Sequence, residues 1–85
     1  MKLDTLNNLN INEEALIVLN AIKTPNKKNI INLGVTEGSK IKCLYRSPFK
    51  DPTAYEIKNT ILAIREEDSK NIMILRNKNG SYEDF

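Results

Sequence analysis

Four sets of residues in this chain are of types that could do chemistry. The first is the glycine pair in LGVTEGSKI, residues 33–41. A phosphate-cradling loop places glycines after a strand and before a helix, so that main-chain N–H groups at the helix N-terminus face the anion. Here the pattern runs the other way, from helix through glycines into strand, and no Gly-Lys-Ser/Thr ending follows. The stretch reads as a corner. The second set is Glu66, Glu67 and Asp68. Adjacent helical residues do not share a face, whereas i and i+3 or i+4 do. These acids therefore read as the first turn of a helix, where they suit its dipole. Glu13-Glu14 and Glu83-Asp84 are expected to be solvated, and nothing specifies a cage for a hard divalent ion.

Cys43 is the third set. It falls on the same face of an alternating segment as Ile41 and Tyr45, and reads as a small buried apolar residue. The chain contains no histidine, which removes the commonest general base, the usual triad partner and the commonest transition-metal ligand. An enzyme is not expected. The fourth set is basic: Lys40, Lys42 and Arg46 alternate along one strand face, with Tyr45, Phe49 and Tyr55 near them in sequence. Small barrels bind single strands in this way, stacking bases on aromatic rings. Tyr45 and Tyr55 are predicted to face inward, however, so a lysine-guarded outer face is the plainer reading.

A chain of 85 residues holds one small core and no second one. Its thirteen basic and eleven acidic residues leave a net charge of +2, too weak and scattered to imply a nucleic-acid partner. One cysteine excludes an internal disulfide. The longest apolar runs are about five residues, far short of the ~20 needed to span a bilayer. No signal region opens the chain. A soluble intracellular protein without direct membrane insertion is expected.

The elements that must position these residues follow from periodicity. Leu3, Leu6 and Leu9 recur at three-residue spacing, which predicts a short helical turn capped by Asp4 or Thr5. Ala15–Ile22, ALIVLNAI, predicts a strand apolar on both faces, whose second face needs a helix or a partner. In TPNKKNIINLG, Thr24 suits the cap, Pro25 the first helical position, and Gly34 the left-handed position after the last turn. Thr36-Glu37-Gly38 is a turn with Gly38 at positive φ. Period-two alternation predicts strands from Ser39 to Arg46, over Thr53–Lys58 and over Ile61–Arg65, with a reversal at Asn59-Thr60. A short helix spans EEDSKNI, and Ile72–Arg76 supplies a last strand. Five short strands and two or three helical turns predict a mainly β fold, a small, strongly bent antiparallel barrel. Residues 1–76 form the domain; residues 77–85 form a polar tail, with Tyr82 and Phe85 able to dock.

Between two strands lies SPFKDP, residues 47–52, whose prolines bar it from a central strand. Phe49 at its tip either folds over the barrel mouth or stands ready for a partner.

The stretch from Ile31 to Ile72 resembles the FeoA family, the small companions of the bacterial ferrous-iron transporter FeoB. The marks are LGVTEGSKI, SPFKDPTAYEI and the ILAIREED passage from strand to helix, in order and at family-like spacing. ALIVLNAI is similar to the family's first barrel strand, so the resemblance runs from about Leu3 to Leu75. Asn12-Glu13 stands where a glycine turn is usual, and Asn59 replaces a frequent glycine; both suit turns. The resemblance implies an SH3-like barrel without catalysis or cofactor. It implies an accessory role in ferrous-iron uptake, with the cytoplasmic region of FeoB as partner. The location is then cytoplasmic, at the membrane only through FeoB. The expected contacts are Pro48, Phe49 and Lys50 at the loop tip, then Ile30 and Ile31 on the helix. The doubly apolar strand also allows a homo-oligomer. Two other readings remain open: a small-barrel RNA- or DNA-binding protein using Lys40, Lys42 and Arg46, and an iron sensor with a weak, oxygen-rich site of carboxylates.

Overall fold

The computed structural model describes residues 2–18, 27–32 and 34–76. Strand β1 (Lys2–Thr5) leads into a 3-10 turn (Leu6–Asn8), then β2 (Glu14–Val18) and helix α1 (Lys27–Asn32). Strands β3 (Lys40–Arg46), β4 (Thr53–Ile57) and β5 (Thr60–Ile64) follow, then helix α2 (Glu66–Ser69) and strand β6 (Met73–Arg76). All six strands belong to one antiparallel sheet in the order β1-β6-β2-β3-β4-β5. The sheet folds as a small SH3-like barrel. Its interior takes alternate residues of the strands, among them Ala15, Ile17, Ile41, Cys43, Tyr55, Ile57, Leu62, Ile64 and Ile74.

Both glycine predictions hold. Gly34 has φ +105°, its N–H donates to the Ile31 carbonyl (2.9 Å), and the Val35 N–H donates to the Ile30 carbonyl (3.2 Å). That pair of bonds is a Schellman ending, and it swings Val35 into the core. Gly38 has φ +80° and donates to the Ile17 carbonyl (2.9 Å), so the corner is stitched to β2. Ala15 and Ile17 are buried while Leu16 and Val18 are half-buried, as a strand apolar on both faces requires. Residues 19–22 of that segment, Thr24 and Pro25, and the 77–85 tail lie outside the described residues.

Three local expectations are corrected. The chain opens with a strand, not a helical turn: Lys2–Thr5 pairs with Arg76–Met73, which makes six strands instead of five. The helical turn is shorter and later, at Leu6–Asn8, and neither Asp4 nor Thr5 caps it from a side chain. Leu6 and Leu9 do share its buried side, because residues three apart eclipse in a 3-10 turn, but Leu3 is exposed. The β4–β5 reversal is at Lys58-Asn59, with φ of 51° and 63°. Two successive left-handed residues make a type I′ hairpin, so β5 starts at Thr60. The third correction is in β3, where Cys43 faces Tyr55 but Tyr45 faces Ala54, leaving Leu44 as an extra residue. This β-bulge reverses the alternation beyond it. Tyr45 therefore points outward, 57% exposed, and Arg46 turns inward.

Candidate functional site

The SPFKDP loop is built to hold its tip still. Lys50 donates its N–H to the Ser47 carbonyl (2.7 Å) and takes φ 67°, closing a turn with Pro48 and Phe49 at its centre. The Ser47 N–H donates to the Pro52 carbonyl (3.1 Å) across the loop base, and the Asp51–Pro52 peptide is cis. Asp51 then ties the loop to a second element: its Oδ1 accepts the first free N–H of α2, from Glu66 (2.8 Å). Arg65 lies 3.8 Å from Asp51 Oδ2. A carboxylate at a helix N-terminus is favourably placed, so Asp51 fixes where the loop leaves the barrel. Among the described residues no hydrogen bond or ion pair reaches the Phe49 side chain at the tip. Phe49 is 91% exposed, and Pro48 and Lys50 are exposed beside it. Tyr45, at the root of the same loop, adds a second outward ring. Sequence reading missed Asp51 and Arg65 as positioning residues, since Asp51 and Glu66 are fifteen positions apart.

The two helix residues expected to touch a partner separate. Ile31 is half-buried and reaches the surface, whereas Ile30 is a core residue, 4% exposed. Its side chain fastens α1 to the barrel, which removes it from the set of surface contacts.

The basic trio also divides. Lys40 and Lys42 stay on the outer face, but the bulge sends Arg46 inward, where Nη2 donates to the Leu9 carbonyl (3.3 Å) and Nη1 lies 3.9 Å from Cys43 Sγ. Lys42 stands in register between Glu14 on one neighbouring strand and Glu56 on the other. With Lys58, these side chains line an open depression of about 410 Å³ in which the signs alternate. Opposite charges set across strands stabilise the sheet, and they leave no continuous positive stripe for a phosphate backbone.

Glu13 is not solvated. Its side chain is 5% exposed and takes a two-pronged hydrogen bond from Arg76, Nε to Oε2 and Nη2 to Oε1, both 2.8 Å. Arg76 Nη1 donates to Asp4 Oδ2 at 2.8 Å, and the Asn10 N–H donates to Glu13 Oε1 at 2.9 Å. One guanidinium thus joins β1, the turn before β2, and β6. The Asn8 amide, Arg76 and the Thr5 N–H together hold the Asp4 carboxyl at about 2, against the opposing pull of burial. This triad is a structural lock, with both carboxylates spent on Arg76. Among the described residues, no group of three or more histidine, cysteine, aspartate or glutamate side chains gathers where it could hold a metal ion.

Cys43 is fully buried opposite Tyr55. Burial pushes its thiol pKa up, with Arg46 only partly opposing, so the nucleophilic thiolate is suppressed. Iodoacetamide is expected to leave the folded chain unmodified and to alkylate it once urea unfolds it. Alkylation of the native chain at the rate of a free thiol would contradict this burial.

A bent antiparallel barrel of six short strands, two short helices and one projecting aromatic loop defines an SH3-like module. This chain belongs to the FeoA family, associated with ferrous iron transport: the family model described as FeoA domain matches residues 5–76. No curated protein matches it. Among solved structures, it is similar to a FeoA-like protein from Clostridium acetobutylicum, with a TM-score of 0.78 and 21% identity over 89% of this chain and 88% of that one. FeoA of Stenotrophomonas maltophilia, complexed with zinc, superposes with a TM-score of 0.70 and 17% identity over 82% of this chain and 87% of that one. That protein is described as a procaryotic SH3 domain protein and a proposed ferrous iron transport activating factor. A manganese-dependent transcriptional repressor also shares the fold (TM-score 0.74, 12% identity), over 88% of this chain but only 42% of that one. At these identities the structural likenesses establish fold alone. No helix among the described residues is long and apolar enough to cross a membrane.

Proposed function

We propose that this chain is a non-catalytic accessory protein of bacterial ferrous-iron uptake that docks on the cytoplasmic region of FeoB through its SPFKDP loop. The observation that carries the reading is Phe49. A phenylalanine 91% exposed on a tied-down loop contributes nothing to the core. Held in place before binding, it loses little freedom on entering a pocket, which is how aromatic anchors come to dominate an interface. Pro48 stiffens the tip, Lys50 adds a charge at the rim, and Tyr45 at the loop root adds a second ring. Ile31, on the helix that ends beside Lys58 at the other end of the β3–β4 ribbon, forms a second, separate contact. Membership in the FeoA family supplies the pathway, and FeoB is the transporter whose cytoplasmic GTP-binding domain offers the partner surface. The role is cytoplasmic, at the membrane only through FeoB.

The test is retention of the purified chain on the soluble cytoplasmic domain of FeoB from the same organism, with and without guanine nucleotide. Phe49→Ala is expected to weaken retention about tenfold or more while leaving the urea midpoint unchanged, because the ring packs against nothing. Equal retention of wild type and variant would move the docking surface elsewhere. Absence of retention in both nucleotide states would remove this domain as the partner.

A further inference from the structure

We infer that the free edge of β5 is a self-pairing surface: two copies of this chain join β5 to β5, antiparallel, about a two-fold axis at Leu62. This inference does not rest on the iron-transport reading. The sheet order leaves β1 and β5 as its edges. Edge strands are normally guarded by charge, proline or a bulge against pairing with other chains. β1 carries Lys2 and Asp4. The β5 strand, TILAI, carries no charge, no proline and no bulge.

Its hydrogen-bonding phase presents the open groups to solvent. The two-residue turn makes Ile57 and Thr60 a hydrogen-bonded pair, and such pairs alternate in an antiparallel ladder. Leu62 and Ile64 therefore bond to β4, while Ile61 and Ala63 turn their N–H and C=O groups outward. Among the described residues nothing else accepts or donates to them. Their side chains lie on the outer face, Ile61 61% exposed and Ala63 exposed beside it. Helix α2, the next element, packs against the Leu6–Asn8 turn, and among the described residues no element pairs with the outer edge of β5.

The occupant is a second copy because the strand is complementary to itself. Only a register centred on Leu62 pairs all five residues of both strands. It sets Ile61 against Ala63 of the second copy, large beside small, twice by symmetry. Each such pair exchanges two main-chain hydrogen bonds, four in all. A five-residue strand pair buries less than the ~1,000 Å² of a stable interface, so the dimer forms only at high concentration.

Sedimentation equilibrium of the full chain, raised through the millimolar range, is expected to show the mass climbing from one chain towards two. Ala63→Pro removes a single outward N–H and leaves the β4 ladder intact, a place where an edge strand tolerates proline. Ile61→Lys sets a charge on the open edge. Both variants are expected to stay monomeric at every concentration. Register is read by oxidising a mixture of Ile61→Cys and Ala63→Cys chains. A mixed disulfide is expected, and little in either variant alone, since Ile61 to Ile61 across the axis exceeds the ~7 Å limit on Cα separation. A wild-type monomer throughout, or a dimer indifferent to both edge variants, overturns the proposal. Ile61→Cys chains that cross-link among themselves overturn the centred register.

Discussion

Arg76→Met is expected to destabilise the protein by about 3–5 kcal/mol, read as a lowered urea midpoint, because it strips the cation from two carboxylates. Among the described residues, Arg76 is the only side chain that reaches both Asp4 and Glu13, at 2.8 Å each. Glu13 is left nearly sealed from water at 5% exposure, with only the Asn10 N–H to compensate it. The pair Arg76→Met with Glu13→Gln is expected to recover part of the loss, since the amide oxygen still accepts from Asn10 and no buried charge remains. A loss below about 1 kcal/mol for Arg76→Met would be that of an ordinary surface ion pair, and would mean that the lock contributes nothing to the fold. Acid tests the other arm. Asp4 is held at about 2, from an ordinary 3.8, so folding favours its ionised form. The stabilisation is fully present above pH ~4 and disappears as pH falls through about 2. Its size is of order 1 kcal/mol once solvent screening is allowed for. Asp4→Asn is expected to flatten that part of the stability–pH curve.

Tyr55→Ala is the second large effect, expected to cost about 3–5 kcal/mol through the cavity it leaves. Tyr55 is the largest of the fully buried side chains, on the central residue of β4 between Cys43 and Leu62. A domain of this size is at the low end of the ~5–15 kcal/mol of native stabilities, so the variant is expected to be largely unfolded at room temperature. Tyr55→Phe keeps the ring and loses only the buried hydroxyl. That change is expected to cost about 1 kcal/mol. Burial pushes the Tyr55 hydroxyl up to about 12 from 10.0. The unfolded chain therefore ionises first, and stability falls as pH rises from about 10 towards 12. Tyr55→Phe is expected to lack that fall. Equal alkaline loss in both proteins would place the titrating group elsewhere.

Much of this was legible in the residues. Gly34 and Gly38 could be assigned positive φ because left-handed backbone is cheap only for glycine, and both hold it. Alternation located β4 and the first half of β3, where every inward residue is apolar apart from Thr53. SPFKDP could only be a loop; its residues left open whether Phe49 folds over the barrel mouth or stands free, and it stands free. The LGVTEGSKI, SPFKDPTAYEI and ILAIREED stretches carried the family, and the family model matches across them.

What alternation could not show is where a strand slips against its neighbour. A single inserted residue, Leu44, turns Tyr45 outward and Arg46 inward, and so dismantles the basic face read from a regular period. Nor could KLDT be read as a strand from its own residues. Asp4 is half-buried, and beside its local partners Asn8 and Thr5 it is neutralised by Arg76, seventy-two positions later. Glu13 is buried for the same reason, sixty-three positions from its partner. Turns, strand and helix tendencies and the SPFKDP loop could be read locally, because each depends on neighbours in the chain. The bulge, the first strand, the outward stance of Phe49 and the buried charges came only with the fold, because a side chain's place inside or outside depends on which distant partner meets it there.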